Sequence, residues 1–167
     1  MTETPLVQLV SLDLNDKTQV EWMYAVRAHP EVVPHFFAPP PSSYVHHIEF
    51  LRKAQESQER QFWIILFDNQ MTGYCQLIHR LDSLEVGLAL HPAWWGRGIG
   101  QAAMQALLDY AQSLNTAKEI ALVVKKDNAR AMHIYEKLGF VHLQGVSYQK
   151  LDNRIQNAGY SPPQQGS

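Results

Sequence analysis

The chain has 167 residues, which is the length of one domain and enough to bury a sizeable core. Its formal net charge is -2, so the composition gives no reason to expect a nucleic acid or an anionic membrane as partner. No apolar run reaches the roughly 18 residues of a membrane span, and the first residues carry no signal-peptide pattern. The single cysteine, Cys75, cannot form an internal disulfide and lies in an apolar run, so we expect a buried thiol and a reducing, cytoplasmic compartment.

The predicted elements begin with a strand at residues 6–12, which form an apolar, β-rich run. A helix should follow, and its candidate caps are Asp13, Asn15 and Asp16. Three consecutive prolines at 39–41 then form a stiff loop before a second predicted helix over residues 42–57. The apolar positions of this second helix that follow the helical period are Val45, Ile48 and Leu51.

Three short β-rich runs come next and predict an antiparallel meander, because only short turns connect them. These strands are residues 61–67, 72–79 and 84–90. Asn69 is the expected left-handed residue of the first turn. A glycine loop, a helix over residues 101–114 and a strand at 119–124 complete a βαβ unit, so the strands that flank this helix should be parallel.

The last predicted elements are a helix over residues 128–140, closed by Gly139, and a strand over 141–150. Residues 151–167 are polar and rich in Gln, Pro and Ser, which is typical of a flexible tail. We therefore expect a single domain over residues 1–150.

The glycine loop, GRGIG at residues 96–100, needs a physical reason. A P-loop would require a lysine followed by a hydroxyl residue, and a dinucleotide-binding fingerprint would require an alternating fold; neither is present. A loop of backbone N–H groups that leads into a helix N-terminus binds anions through its partial charges. Gly96, Gly98 and Gly100 would leave room for a pyrophosphate, and Arg97 would add a positive charge; a tight turn without a ligand is the alternative.

Two stretches resemble the GNAT superfamily, the Gcn5-related N-acetyltransferases. They are EVGLALHPAWWGRGIGQAAM, residues 85–104, and LVVKKDNARAMHIYEKLGF, residues 122–140. The resemblance covers residues 5–150 and implies an α/β fold: a mixed, mostly antiparallel sheet with a V-shaped splay between two parallel strands, flanked by helices. It also implies acetyl-CoA as the donor, a primary amine as the acceptor, and no metal.

Departures from the family pattern bear on the subgroup. Trp95 stands where the family often has Gln or Arg, and an aromatic-Trp-Gly sequence together with Glu85 is similar to ribosomal-protein N-terminal acetyltransferases. Val123 stands where the ribosomal S18 alanine type has a glutamate base, which argues against that type. A weaker likeness to 4-amino-sugar-nucleotide acetyltransferases rests on Arg27, Pro30 and Val32.

The resemblance implies which residues hold the donor. The free backbone groups of Leu88 and Leu90 would face the pantetheine arm, and the Leu90 N–H would polarise the thioester carbonyl. The pyrophosphate would lie on the N–H groups of residues 96–101. The predicted donor-binding residues are Leu88, Leu90, Trp95, Gly96, Arg97, Gly98, Ile99, Gly100, Gln101, Asn128 and Tyr135.

Acetyl transfer also needs a base, because an amine with a pKa near 10 is mostly protonated at neutral pH. Glu85 is the first candidate, His91 the second, and water a third; an exposed strand glutamate is the alternative interpretation of Glu85. Tyr135 lies two helical turns after Asn128 and is the predicted acid for the leaving thiolate, unless it is a core tyrosine.

The sequence leaves the acceptor open between an amino-sugar nucleotide, a protein N-terminus and a polyamine. Arg52, Lys53 and Arg60 mildly favour a phosphate-bearing acceptor, since polyamine sites favour acidic faces. His46 and His47 diverge by about 100° on a helix, so a metal site there is not expected. A non-catalytic acyl-CoA binder or regulator is the alternative function, and a homodimer is among the oligomeric states that the sequence allows.

Overall fold

The computed structural model describes residues 5–114, 116, 119–143, 145 and 147–150. Its helices are α1 Lys17–Arg27, α2 Tyr44–Ser57, α3 Ile99–Ser113 and α4 Ala129–Lys137. Its strands are β1 Val7–Ser11, β2 Arg60–Phe67, β3 Gln70–His79, β4 Ser83–Leu90, β5 Glu119–Val123, β6 Val141–His142 and β7 Ser147–Lys150. Short 3₁₀ turns lie at Val33–His35 and Pro92–Trp94. The predicted flexible tail, 151–167, falls outside the described residues.

The described strands form one mixed sheet in the order β1-β2-β3-β4-β5-β7-β6, in which only β4 and β5 are parallel. The meander of β2, β3 and β4 is antiparallel, as predicted. The β2–β3 turn places Asn69 at φ 59° as expected, and Asp68 also has a positive φ, 52°. Two consecutive positive φ values match the right-handed twist of a two-residue hairpin.

The splay predicted between the parallel strands is present. β4 pairs with β5 over three positions, the last being Glu85 opposite Ala121. Beyond that point β4 continues along β3 to Leu90, while β5 continues along β7 to Val123. The two strands therefore separate and leave a V-shaped gap in the sheet.

Each face of the sheet packs against its own pair of helices. Leu84, Val86 and Ile120 pack with the buried face of α3 in one apolar cluster. Ala89 and Tyr74 point to the opposite face and join α1 and α2 in a second cluster. Full burial of one such aliphatic side chain contributes about 1.5–3 kcal/mol, so both clusters fix the strands at the gap.

Helix ends follow the predicted signals. Of the three candidate caps of α1, the Asp16 side chain accepts hydrogen bonds from the N–H groups of Thr18 and Gln19. Helix α4 ends in a Schellman arrangement, in which Gly139 takes φ 94° and the Phe140 N–H donates to the Tyr135 carbonyl over 3.0 Å. This closure fixes the last turn of α4, which carries Tyr135.

Several details of the prediction are wrong. The expected strand over 141–150 is two antiparallel strands, β6 and β7, with Gly145 at φ +61° between them. Leu51 is buried as predicted, but Val45 is 61% exposed, because the buried face of α2 consists of His47, Leu51 and Ala54. Helix α3 starts at Ile99, two residues before its predicted start.

The single cysteine lies in the core. Cys75 is fully buried, and this burial raises the pKa of its thiol, so the thiol is a core group as expected. Within the described part of the chain, no helix is both long enough and apolar enough to cross a membrane.

Candidate active site

A cavity of about 770 Å³ extends from the gap between β4 and β5 to α1, α2 and the segment that joins them. We call one part of it the slot, which is lined by Leu88, Leu90, Gly98, Ile99, Gly100, Gln101, Asn128 and Tyr135. We call the other part the chamber, which is lined by Arg27, His35, His47, Arg60, Tyr74, Arg80 and Glu85. The two parts are continuous, so groups bound in one can reach the other.

The backbone of β4 directs polar groups into the slot. The His91 N–H donates to the Thr72 carbonyl over 2.9 Å, and Leu90 lies opposite Gly73 in the same ladder. Bonding alternates along an antiparallel pair, so the N–H and C=O groups of Leu88 and Leu90 point away from β3. The Leu90 carbonyl accepts a hydrogen bond from the Trp95 indole N–H over 3.0 Å. The Leu90 N–H points toward the slot.

The N-terminus of α3 forms the second wall of the slot. Gly96 and Gly98 take φ values of +76° and +79°, which side chains disfavour. The first helical bond runs from the Ala102 N–H to the Gly98 carbonyl over 3.1 Å, so the N–H groups of residues 99–101 have no helical partner. No side chain caps this end, and the helix dipole adds partial positive charge there.

Gly100 plays a different part from the other two glycines. It is helical, and an added Cβ would lie 3.6 Å from a Leu90 methyl group in ordinary contact. Neither the backbone conformation nor the packing of neighbouring side chains therefore requires a glycine at this position.

The two side chains that flank the loop have separate surroundings. The Trp95 ring lines the cavity, and the Arg130 guanidinium lies 4.0 Å from its centroid. Arg97 is exposed, lies 5.0 Å from the centroid of Trp94 and is not part of the cavity lining. Arg130 is thus a second positive charge near the loop, and unlike Arg97 it lines the cavity.

Tyr135 and Asn128 both line the slot, as their helical spacing predicted. The Asn128 side chain caps α4 by accepting the Ala131 N–H over 3.3 Å. Tyr135 is 8% exposed, and burial raises the pKa of its phenol to about 12. The hydroxyl therefore keeps its proton throughout the neutral pH range.

Glu85 lies on the chamber side of the sheet. Strand parity places it with Gly87 and Ala89, opposite the face that carries Leu84 and Val86. Its carboxylate forms an ion pair with Arg80, with 3.5 Å between the Glu85 Oε1 and the Arg80 Nε. The side chain is one-quarter exposed, so water can reach it.

His91, the second candidate base, is not part of the cavity lining. Its ring stacks on Trp22 at 5.4 Å and meets the edge of His29 at 4.9 Å, and its Nδ1 accepts the Ala93 N–H. Burial lowers the pKa of His91, and His29 lowers it further, while Glu31 opposes both. The structure therefore does not bring His91 together with Glu85 and Tyr135.

The chamber contains buried polar atoms that have no partner among the described residues: Arg27 Nη1, His35 Nδ1 and His47 Nε2. Leaving such a group unpaired in the interior costs about 1–3 kcal/mol. No sequence pattern placed Arg27, Arg80 and Tyr74 in a common site. Parity alone could have placed Tyr74 beside Ala89, its partner in the ladder, and thus on the face of Glu85.

Among the described residues, no group of three or more His, Cys, Asp or Glu side chains could hold a metal ion. His46 is exposed while His47 is 2% exposed, although both histidines line the cavity.

Known proteins of similar sequence include acetyltransferases. The spermidine N(1)-acetyltransferase of Escherichia coli K12 is 23% identical over 139 residues, which cover 81% of this chain and 75% of that protein. The acetyltransferase PseH of Campylobacter jejuni is 23% identical over 136 residues, which cover 81% of this chain and 85% of that protein.

Solved structures share the fold at lower identity. The spermidine N-acetyltransferase of Vibrio cholerae, in complex with CoA and spermine, is 20% identical and superposes with a TM-score of 0.78 over 90% of this chain and 98% of that chain. The aminoglycoside acetyltransferase AAC(6')-Ib, in complex with coenzyme A, is 16% identical with a TM-score of 0.77 over 92% of this chain and 99% of that chain. The acetyltransferase (GNAT) domain family matches residues 8–141. The chain belongs to the GNAT family of N-acetyltransferases, which take the acetyl group from acetyl-CoA.

Proposed function

We propose that the chain transfers the acetyl group of acetyl-CoA to a primary amine bound in the chamber. The observation that carries this proposal is the slot itself, where the backbone of Leu88 and Leu90 meets the uncapped N-terminus of α3 in one cavity. A thioester held there lies between the chamber, with Glu85, and the wall that carries Tyr135.

The fit of the donor rests on two features. The N–H groups of residues 99–101 and the glycine loop offer bonds to an anion, as a pyrophosphate requires. The backbone groups of Leu88 and Leu90 can bond the amides of a pantetheine arm as a neighbouring strand would. Arg130, at the Trp95 ring, is placed to add a positive charge on the cavity wall.

The proposed step forms a bond between the amine nitrogen and the acetyl carbon and breaks the bond between that carbon and sulfur. Glu85, directly or through one water, accepts the proton that the amine must lose. The Leu90 N–H donates to the thioester oxygen as negative charge develops on it. The Tyr135 hydroxyl donates its proton toward the departing thiolate.

Burial of Tyr135 suits this assignment, because the raised pKa of about 12 keeps the proton on the hydroxyl until the thiolate forms. A thiol has an ordinary pKa near 8.5, so complete transfer from such a phenol is uphill. We therefore infer that Tyr135 acts mainly as a hydrogen-bond donor to the sulfur. The CoA thiolate then takes up its proton from water after CoA is released.

The test is thiol release from acetyl-CoA by the purified chain with a panel of primary amines, together with mass spectrometry of the acetylated product. We expect amine-dependent release and an N-acetyl product. Acetyl-CoA binding without turnover on any amine would instead indicate a non-catalytic acyl-CoA binder. An absence of acetyl-CoA binding would contradict the proposal as a whole.

A further inference from the structure

We propose that the acceptor amine carries an anionic group, a carboxylate or a phosphate, which binds in the chamber at Arg27, and that polyamines are poor acceptors. The inference rests on the proposed function and names the substrate class of the same site. It is drawn from the charge of the cavity wall and from the unpartnered atoms of the chamber.

The cavity wall is rich in positive charge. Its described residues include four arginines and one carboxylate, Glu85, which is already paired with Arg80. The other three arginines contact neutral groups. They are Arg27 on two backbone carbonyls, Arg60 on the Gln76 side chain and Arg130 on the Trp95 ring. Arg130 is placed for the donor, so in the chamber a polycation would meet the uncompensated charge of Arg27 and Arg60, while an anion would neutralise it.

Arg27 is held in place for such an anion. Its Nη2 donates to the carbonyls of Ala38 and Pro39 over 2.8 and 3.1 Å, and its Cζ lies 3.8 Å from the centroid of Phe36. The remaining Nη1 is buried and has no partner among the described residues. A guanidinium that is fixed by three neutral contacts, retains one unpartnered donor and belongs to a side chain lining the cavity can bind an anion with little reorientation.

His47 and Tyr74 complete the same niche. His47 is 2% exposed and its Nε2 has no partner among the described residues, although its side chain lines the cavity. Burial lowers the pKa of His47, a hydrogen bond with the Val20 backbone opposes this, and the Arg27 charge lowers it further. Burial raises the pKa of Tyr74, and the Arg27 charge opposes that rise. Arg27, His47 and Tyr74 all line the cavity, and the Arg27 charge affects the pKa of both other groups.

The charges of α2 do not provide this site. Arg52 and Lys53, which the sequence suggested, are exposed and do not line the cavity, whereas Arg60 does. Arg52 is thus a matched arginine outside the proposed niche. It serves as the control for substitutions at Arg27.

The experiment compares matched amines as acceptors of the full chain. The pairs are L-lysine with cadaverine, which differ by a carboxylate, and glucosamine 6-phosphate with glucosamine, which differ by a phosphate; spermidine is the polycation. We expect kcat/KM to be at least tenfold higher for the anionic member of one pair, and higher than for spermidine. Which pair responds distinguishes the carboxylate from the phosphate. Preference for spermidine or for both neutral members would overturn the proposal.

Variants assign the effect to the niche. Arg27→Met should lower kcat/KM for the preferred anionic amine at least tenfold and change that of its neutral partner less than twofold, while Arg52→Met changes neither. Equal losses for both members would mean that Arg27 is only structural, and the proposal would fall.

A binding measurement separates failure of this proposal from failure of the proposed function. CoA at saturation blocks the anion contacts of α3, so calorimetric titration then measures the chamber. Tighter binding of glucosamine 6-phosphate than of glucosamine, or of L-lysine than of cadaverine, supports the niche even without turnover. No difference within either pair refutes the niche, even if another amine is acetylated. If CoA does not bind, the same titrations are made without CoA on the unchanged chain and on the Arg27→Met variant. Tighter binding of the anionic member that Arg27→Met removes supports the niche, and equal binding of both members refutes it.

Discussion

Replacing the glycines of the loop by alanine separates a ligand-binding backbone from a tight turn. Gly96 and Gly98 have φ values of +76° and +79°, and Gly145, in the β6–β7 connection, has +61°. Alanine in this region costs about 1–2 kcal/mol at each position. For a chain of this size that corresponds to a decrease in Tm of about 2–8 °C. An added Cβ meets nothing within 4 Å at Gly96 or Gly145, so backbone strain is the main cost at both.

Gly96→Ala and Gly145→Ala should therefore lose similar stability but differ in binding, while Gly98→Ala should lose more, because its Cβ would lie 3.3 Å from the Pro5 Cδ. A hydrogen bond to a charged group contributes about 1.5–3 kcal/mol, so displacing the pyrophosphate from one N–H group should raise the Kd of CoA about ten- to a hundredfold. We expect this rise for Gly96→Ala and Gly98→Ala and a change of less than twofold for Gly145→Ala, all measured by calorimetry. Equal CoA affinities in all three variants would refute the reasoning and leave the loop as a structural turn.

Three further substitutions test the catalytic groups and the buried histidine. Glu85→Gln should lower kcat/KM about 10²–10⁴-fold without changing the Kd of CoA. The control Glu49→Gln, which replaces an exposed glutamate of α2, should change neither quantity. A loss of kcat/KM below tenfold for Glu85→Gln would assign the base to water alone. Tyr135→Phe should lower kcat and leave the Kd of CoA unchanged in stopped-flow and binding assays; an unchanged kcat would make Tyr135 a core tyrosine. Because burial lowers the pKa of His47, the unfolded chain binds a proton near pH 6.5 that the folded chain does not, so stability declines as the pH falls below about 6.5. His47→Gln should reduce the difference in urea midpoint between pH 7.5 and pH 5, whereas the same replacement of the exposed His46 should not; equal effects of the two would contradict the burial argument.

The slot could be predicted from the sequence because local patterns encode it. The β-rich run that ends before Pro92, the glycines and the following helical period lie next to one another in the chain. Strand parity then gave the correct faces of Glu85 and Leu90. These features need no knowledge of which distant segment covers the sheet.

The chamber could not be predicted in the same way. Arg27, His47 and Tyr74 come from α1, α2 and β3, and no local period relates them. The sequence suggested Arg52 as a contact for a phosphate-bearing acceptor, but Arg52 lies on an exposed face of α2. The spacing of residues did not reveal that the buried face of this helix contains a histidine, His47.

The side chains next to the loop also escaped prediction. His91 precedes the loop, yet its ring caps the turn at Pro92–Trp94 and stacks on Trp22 of α1. Arg97 lies within the loop, but its side chain is exposed beside Trp94, whereas Arg130 from α4 lines the cavity. A turn reorients each side chain within one or two residues, so sequence adjacency is a poor guide to placement there.

The most direct measurement of the central claim is the affinity of the chain for acetyl-CoA compared with S-acetylpantetheine, which lacks the pyrophosphate and the nucleotide. We predict that acetyl-CoA binds at least a hundredfold more tightly, that inorganic pyrophosphate competes with it, and that Gly98→Ala reduces the difference about ten- to a hundredfold. Equal affinities for the two thioesters, or a difference that Gly98→Ala leaves intact, would contradict the placement of the pyrophosphate on the N-terminus of α3.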